Sequence, residues 1–493
     1  MQNSVKNYVS NNLKLATNND NQDYENSIVM LNSLQTNAQY LRDAPKQKLS
    51  YPNSVVQTEV YLERTGITLA TLDTLPVIHV TGTKGKGTTC ALSESILRHH
   101  GLKTGFYSSP HLLEVRERIR INGEPLPKSA FAKHFWQVYN TLEKQKMLPN
   151  DMPMYFQFLT VMAFNIFLVE KVDVAIVEVG IGGELDSTNV LRKVPVVGIT
   201  SVGLDHTSVL GNTLEAIAWH KAGIMKPGSH AFTVPQTKSV TKVLRERSVE
   251  KKCQLTILQP RSNLPISNTI HQPLHIYELN LNLAIAMCET WMKLHTNSPS
   301  LSSFNGECKK PFTDLNPESF NWDLTKMAVS NCKWPGRYQV LKLCNNTYYL
   351  DGAHTGESLE ICAEWFMKET SGSKQPKALI FNVTGNRNSK KFMSQLQSCN
   401  FQKVYFVPNK ATETCSQDQT VIGNEQIARC YLHRKYWHEL ESEKCSKKAS
   451  VKVLNTVSEA LQACELNGYD TLITGSLHLI GAALSILDPD MNM

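Results

Sequence analysis

Apolar positions along the chain fall into two alternating series. Continuous apolar runs occur at Val77–Val80, Val172–Val179, Val194–Ser201 and Ala231–Val234. Separated by helical stretches, such runs predict strands of a parallel sheet buried on both faces. A second series begins after Trp334, with strands predicted at Tyr348–Asp351, Ala378–Val383, Val404–Val407, Val451–Leu454 and Thr471–Thr474. Helical spacing starts at Ile28 (IVMLNSLQTNAQYL) and recurs over Val56–Arg64. It appears again in TTCALSESILRHHG, where Leu92 and Ile96 lie one turn apart and Gly101 supplies a stop. The stretch FQFLTVMAFNIFLVEK is apolar nearly all round, which predicts deep burial.

Polar stretches divide these series. Residues 1–22 are Asn-rich and read as a flexible N-terminal segment, and 297–333 read as a linker or insertion. Lys410 to Ser450 reads as a surface excursion. The expected fold is α/β, with two α/β domains in series. Residues 23–296 form an N-terminal domain of the phosphate-loop, parallel-sheet type, and 334–493 form a smaller, Rossmann-like C-terminal domain. A cleft is expected between them. No internal repeat is visible.

Composition narrows the function without choosing it. The 493 residues are 41% hydrophobic and 19% charged, as in a globular chain with a real core. Lys and Arg number 51 against 44 Asp and Glu, a formal charge of +7. Over this length that is a mild basic bias, which argues against nucleic-acid binding and suits a polyanionic small substrate. The 12 cysteines include no Cys-x-x-Cys pair, so neither a zinc framework nor a disulfide scaffold is expected. A reducing compartment follows. No run of about 18 apolar residues exists to span a membrane. The N-terminus lacks the apolar core of a secretory signal, and a weak mitochondrial transit peptide stays open.

Four constellations carry candidate chemistry. Gly82-Thr83-Lys84-Gly85-Lys86-Gly87-Thr88-Thr89 lies between a predicted strand and a predicted helix. Glycines let backbone wrap a phosphate, the helix start offers free N–H groups, and lysine neutralises charge. Gly87 stands where the generic phosphate loop has Ser or Thr directly after Gly-Lys. Glu178, Asp205 and His206 each follow an apolar run, where open α/β sheets bind ligands. A carboxylate and an imidazole there suit a divalent cation, or serve equally as a capping acid and a hydrogen-bonded core histidine. Lys221, in WHKAGIMKPG, reads by itself as a solvated charge or salt-bridge partner. Finally, Asp351 and His354 in YLDGAH and Arg337 in WPGR suit contacts to a nucleotide, or a helix cap and a rim charge.

Together these segments resemble the folylpolyglutamate synthase family of the Mur-type amide ligases. The matching text runs in family order from Leu31 to Leu484: LNSLQTNAQYL, HVTGTKGKGTTCAL, LKTGFYSSPHLLEVRERIRING, DVAIVEVGIGGELDSTNV, GLDHTSVLGNTLEAIAWHKAGIMKPG, WPGRYQV, YYLDGAHTGES and TGSLHLIGAAL. The wording of the glycine loop and of LDGAHT looks like the eukaryotic branch. The resemblance implies an ATP-dependent ligase that adds L-glutamate to the γ-carboxylate of reduced folates through an acyl phosphate; a monomer in the cytoplasm is expected, with mitochondria as a candidate second location. It implies ATP and Mg2+ as cofactors, with K+ as a candidate monovalent cation.

The resemblance also implies roles residue by residue. Residues Gly82 to Thr88, with Asn282, Arg337 and Asp351, would bind ATP, while Ser109, Glu178 and His206 would hold magnesium. Lys86, Lys221 and His354 would be catalytic, with Lys221 matching a lysine that some members carry as a carbamate. His111, Arg116 and Arg118, in the segment ending at Arg120, would face folate, and His354 and Ser476 would face glutamate.

Two departures stand out. The family's Gly-x-His-Gln stretch is replaced by Ile276-Tyr277-Glu278-Leu279-Asn280-Leu281-Asn282, of which Asn282 alone matches. Where relatives often read Thr-Gly-Asp-Arg-Asp, the chain reads Thr384-Gly385-Asn386-Arg387-Asn388. These keep two alternatives open: a bifunctional dihydrofolate synthase/folylpolyglutamate synthase, and a folate- or nucleotide-binding pseudoenzyme. A cell-wall Mur ligase and a generic phosphate-loop kinase fit the segments less well.

Overall fold

The computed structural model describes residues 21–34, 54–148, 151–266, 273–296, 320–383, 389–414, 418, 423–444, 449–465 and 468–490. By their contacts these residues divide into two compact units. One draws on the ranges 1–109, 116–267 and 278–332, the other on 110–115, 268–277 and 333–493.

The first unit is built on an eight-stranded sheet in the order β4-β3-β2-β5-β1-β6-β7-β8. Its strands are β1 (Val77–Thr81), β2 (Thr104–Tyr107), β3 (Ile119–Ile121), β4 (Glu124–Pro125), β5 (Val174–Glu178), β6 (Val196–Ile199), β7 (His230–Thr233) and β8 (Gln254–Ile257). From β2 to β8 every pairing is parallel, whereas β3 runs antiparallel to both β2 and β4. The sheet is thus mixed, with a parallel centre and an antiparallel edge. β1 and β5 are buried along their whole length, the signature of strands covered on both faces. Register places Val80 beside Glu178 and Thr81 beside Ile199, so the carboxyl ends of β1, β5 and β6 finish together.

Periodicity missed the short strands β2, β3, β4 and β8, which lie toward the two ends of the sheet. β2 reads Thr-Gly-Phe-Tyr, and a side chain at Gly105 would sit 2.8 Å from the Phe167 ring. The helix Tyr155–Glu170 packs that ring against the strand, so close packing demanded a weak strand former there. β8 has no fully buried residue, as expected at an edge.

Three expectations are corrected. The first helix occupies residues 21–33 rather than starting at Ile28, because its buried stripe begins at Tyr24 and continues through Ser27, Ile28 and Leu31. The remainder of that predicted helix, from 35 onward, lies outside the described residues. The stretch read as a linker contains a helix, Trp322–Asn331, capped by Asn321 and packed on the helix Lys86–His99. Its buried face is small, essentially Thr325, Ala328 and Val329, which is why composition concealed it. The supposed surface excursion holds the helix Gly423–Lys444, whose Cys430, His433, Trp437 and Leu440 are buried. Those positions recur every three or four residues, a real helical stripe hidden by a histidine and many surrounding charges. Removing such a buried tryptophan typically costs about 3–5 kcal/mol.

The second unit carries a six-stranded sheet ordered β13-β12-β11-β14-β10-β9. Its strands are β9 (Gln339–Leu343), β10 (Asn346–Asp351), β11 (Lys377–Phe381), β12 (Lys403–Phe406), β13 (Ser450–Val453) and β14 (Asp470–Thr474). All pairings are parallel except β9 with β10. Each face is covered. One core holds Phe366, Phe381, Phe406 and Trp437, the other Tyr348, Ile380, Ile473 and Leu484. Among the described residues no helix is long and apolar enough to cross a membrane.

Candidate active site

The glycine loop leaves β1 at the centre of the first sheet and enters the helix Lys86–His99. Gly82 is required by contact. A Cβ there would lie 1.7 Å from Thr200 Oγ1, so the chain can pass beside β6 only without a side chain. The turn is then stitched to the strand end beyond β6. Thr83 N donates to Ser201 O at 2.8 Å, and Thr83 Oγ1 both donates to Gly203 O and accepts from Gly203 N at 3.0 Å. Lys84 forms an isolated bridge to Ser201. Behind it, Gln236 Nε2 donates to Thr200 O at 2.9 Å and its Oε1 accepts from Val202 N at 3.1 Å. Gly85 then caps the helix in the left-handed region, at φ 88°, and leaves the first helical N–H groups facing outward.

Two lysines converge on this loop. Lys86 Nζ donates to Gly82 O at 3.2 Å and lies 3.9 Å from Glu178 Oε1. Lys221, from the helix Leu214–Ala222, donates its Nζ to the same carbonyl at 2.8 Å. Its exposure is only 3%, so it is no solvated charge. Burial, followed by the charge of Lys86, depresses the Lys221 ammonium well below its ordinary value, against the opposing pull of Asp205 and Asp186. Two lysine amines thus meet at one backbone oxygen beside the loop, and Lys86 stands within reach of a polyanion there.

Glu178 ends β5 and is 4% exposed, with Oε2 accepting from Ser109 N at 3.2 Å. The structure thus brings Ser109, Glu178 and Lys86 together. His206 takes the left-handed conformation at φ 50°, with its Nε2 4.0 Å from Asp205 Oδ2. Among the described residues no three His, Cys, Asp or Glu side chains cluster for a metal ion.

Asn282, assigned to ATP by the family resemblance, is buried on the helix Leu274–Thr296. Its Nδ2 donates to Gln259 O at 2.8 Å. The residue at the loop is Asn280, whose Oδ1 accepts from Thr89 Oγ1 at 3.4 Å and would lie 2.2 Å from a Cβ on Gly85. Two residues on a helix are about 200° apart, so only one of these asparagines can face the loop. The family resemblance pointed to Asn282, and nothing in the text singled out Asn280 as the residue at the loop. Arg116 Nη1 donates to Leu126 O at 3.0 Å, and the Arg118 guanidinium lies 5.4 Å from the Tyr155 ring centre. Both help hold the β2–β3 region.

In the second unit, Asp351 ends β10 and is 3% exposed. It accepts from Tyr338 N at 3.2 Å and from Ala353 N at 2.9 Å, which folds the WPGRY turn over the strand end. Arg337 Nη1 would lie 3.1 Å from a Cβ on Gly352, so the guanidinium sits on that turn. His354 Nδ1 lies 3.0 Å from Gly352 O, just ahead of the helix Gly356–Glu369, whose cap pairs Thr355 with Ser358. Ser476 caps the helix Leu477–Leu487, and His111 Nε2 lies 2.9 Å from Asp418 O. The Thr384–Asn388 departure lies outside the described residues.

A cavity of about 520 Å3 lies elsewhere, lined by Leu75, Leu102, Phe167, Val172 and Trp291. Leu75, Leu102 and Val172 stand just before the amino ends of β1, β2 and β5, the opposite end of the sheet from the phosphate loop, so it is no part of this site.

A mixed α/β sheet with a phosphate loop after its central strand, accompanied by a second six-stranded α/β unit, is the Mur-ligase-like architecture. Comparison with known proteins gives the family. A protein named "Folylpolyglutamate synthase, mitochondrial" from Cricetulus griseus is 37% identical over 549 residues, covering 95% of this chain and 92% of its own. Its Homo sapiens counterpart is 37% identical over 547 residues with the same coverage, 95% and 92%. The fold matches a solved Mycobacterium tuberculosis folylpolyglutamate synthase complexed with ADP, with a TM-score of 0.69 at 21% identity, over 95% of this chain and 99% of that one. No family model matches the chain. The chain belongs to the folylpolyglutamate synthase family.

Proposed function

We propose that this chain is an ATP- and magnesium-dependent ligase that adds L-glutamate to the γ-carboxylate of a reduced folate. The observation that carries the reading is the convergence of Lys86 and Lys221 on the Gly82 carbonyl, beside Glu178 and the open start of the helix Lys86–His99. A carboxylate is a poor acyl donor until it is activated. Here the folate γ-carboxylate attacks the γ-phosphorus of ATP, ADP departs, and an acyl phosphate results. The glutamate amine then attacks the acyl carbon, phosphate leaves, and the amine gives up a proton as the amide forms.

Charge neutralisation and alignment dominate such phosphoryl transfer. The loop N–H groups and Lys86 hold the phosphates, and Thr88 stands in the first helical turn beside them. Asn280 braces the loop from below. For magnesium, the carboxylate of Glu178 and the hydroxyl of Ser109 are hard oxygen donors, and the His206 imidazole is a compatible third ligand, so the donor set fits. When bound, the cation supplies neutralisation of the phosphate charge. The depressed ammonium of Lys221 favours a neutral amine, the form that takes up carbon dioxide as a carbamate. We assign Arg337, Asp351, His354 and Ser476 to the nucleotide and amino-acid substrates, and His111, Arg116 and Arg118 to folate, following the family resemblance.

The mitochondrial designation of the relatives supports a mitochondrial location, and a cytoplasmic pool and a monomeric state belong to the same proposal. The test is incorporation of labelled glutamate into tetrahydrofolate, with and without ATP, magnesium and K+, and with dihydropteroate as a parallel acceptor. ATP-dependent lengthening of the folate supports the synthase, and product from dihydropteroate makes the enzyme bifunctional. Absence of product with either acceptor, despite measurable ATP binding, would overturn ligation.

A further inference from the structure

Lys221 reaches Gly82 from a short helix, Leu214–Ala222, whose position is set by its packing on neighbouring elements. Several of the contacts at the end of that helix meet at Glu184. Glu184 lies in the loop after β5, and its backbone N–H donates to His220 O at 2.7 Å, at the end of the helix Leu214–Ala222. The approach is tight on both sides. A Cβ on Gly183 would lie 2.7 Å from His220 O, and one on Gly223 would lie 2.2 Å from Glu184 Oε2. Asn189 Nδ2 donates to both Glu184 O (3.0 Å) and Gly223 O (3.3 Å), closing the loop against the helix end.

The Glu184 carboxylate then ties this joint to a third element, the helix Lys238–Glu250 and its C-terminal cap. Its Oε2 pairs with Arg247 Nη2, and its Oε1 accepts from Lys251 Nζ at 3.1 Å. Arg247 has a side chain only 5% exposed. Its guanidinium stands 4.4 Å from the ring centre of Trp219, on the Lys221 helix itself, and its Nη1 donates to Glu250 at 2.6 Å. One carboxylate therefore joins the strand loop that follows Glu178, the helix that carries Lys221, and an outer helix that braces both.

We propose that Glu184, acting with Arg247, is a positioning residue that sets the register of the Lys221 helix, and so keeps Lys221 on the Gly82 carbonyl. The inference rests on the reading of Lys221 as part of the ligase site. Neither residue reaches the loop itself, so each acts through the helix. A displacement near 1 Å of a group at a phosphoryl-transfer site can cost about 100-fold in rate.

The experiment measures kcat and KM for ATP in wild type and in Glu184→Ala, Glu184→Gln, Arg247→Met and Arg247→Lys, each well below its own Tm. In Glu184→Ala and Arg247→Met, kcat should fall at least about 10-fold with KM for ATP nearly unchanged, and Arg247→Lys should recover most of the loss. Lys242→Ala, which removes an exposed charge on the same outer helix, should leave turnover unchanged. A lowered Tm with kcat within about twofold of wild type would mean that Glu184 only stabilises the fold, and would overturn the proposal. If the alanine variant does not fold, Glu184→Asp, which shortens the arm and keeps the charge, gives the same reading.

A second readout separates this inference from the functional one. In 13C-methylated protein, the Lys221 resonance should titrate well below 10.5, and should move back toward it in Glu184→Ala. That shift is expected even if wild type ligates nothing, in which case the functional reading alone fails. An unmoved Lys221 titration would overturn the positioning role.

Discussion

The loop after β1 and the loop after β10 can be compared, since each follows a strand with at least one parallel partner in an α/β sheet, yet they are held in different ways. At Gly82–Thr88 the backbone is pinned by Ser201 and Gly203, and the lysine side chains crowd toward one carbonyl. At Asp351–His354 the buried carboxylate accepts two local N–H groups, and the turn is closed by its own atoms. The first loop is held by contacts from a distant segment, and the second by its own neighbours in sequence. The comparison teaches that a phosphate site is recognised by charge concentrated on a rigid backbone, more than by a glycine pattern.

The sharpest way to break this contrast is Lys86→Ala. We expect turnover to fall by about 100- to 1,000-fold, the scale of losing one transition-state charge clamp, with an unchanged far-UV spectrum and Tm. Near wild-type turnover would remove the loop from the chemistry. Asp351→Asn should act on stability as well as turnover, costing about 1.5–3 kcal/mol in urea unfolding of the second unit. An amide nitrogen would then face one of the two N–H groups that the carboxylate now satisfies.

Acid should sharpen the comparison further. His433, in the second unit, is fully buried between Phe381 and Phe406, and burial followed by the charge of Arg429 lowers it to about 3 from 6.5. His79, in β1, is likewise lowered to about 3 by burial and then by Lys226, but its Nε2 lies 2.8 Å from Thr188 Oγ1. In both cases the folded value lies below the unfolded one. The stability from each neutral ring is thus complete above 6.5 and is lost as pH falls toward about 3. Each histidine should cost about 2 kcal/mol between pH 6.5 and 5, and His433→Phe should remove one such share, measured as a flatter dependence of Tm on pH. The smallest effect is expected at Thr83→Val, which loses the paired bonds to Gly203. About 1 kcal/mol of stability should go, with a rise in KM for ATP as the loop loosens.

Much of this was legible in the text because parallel strands announce themselves. Val77–Val80 and Val172–Val179 are apolar on both faces, so strand, loop and the site at their ends could be named together. The helix Gly423–Lys444 was not legible, since a buried His433 and Glu441 look polar in a sequence although their environment makes them core. Lys221 was ambiguous for the same reason. A lysine in a helix is read as solvated until a neighbour's carbonyl and the surrounding burial are known. Asn280 and Asn282 could not be told apart, because helix phase relative to a distant loop is not a local property.

By itself the sequence determined the two α/β series, the phosphate loop, the acidic strand end at Glu178 and the family, all of which depend on residue types at short range. Tertiary structure alone decided that Lys221 shares a carbonyl with Lys86, that Asn280 is the asparagine facing the loop, and that Glu184 ties three elements together. Each of those is a contact between segments far apart in the chain, and packing, rather than local preference, chooses which side chains meet.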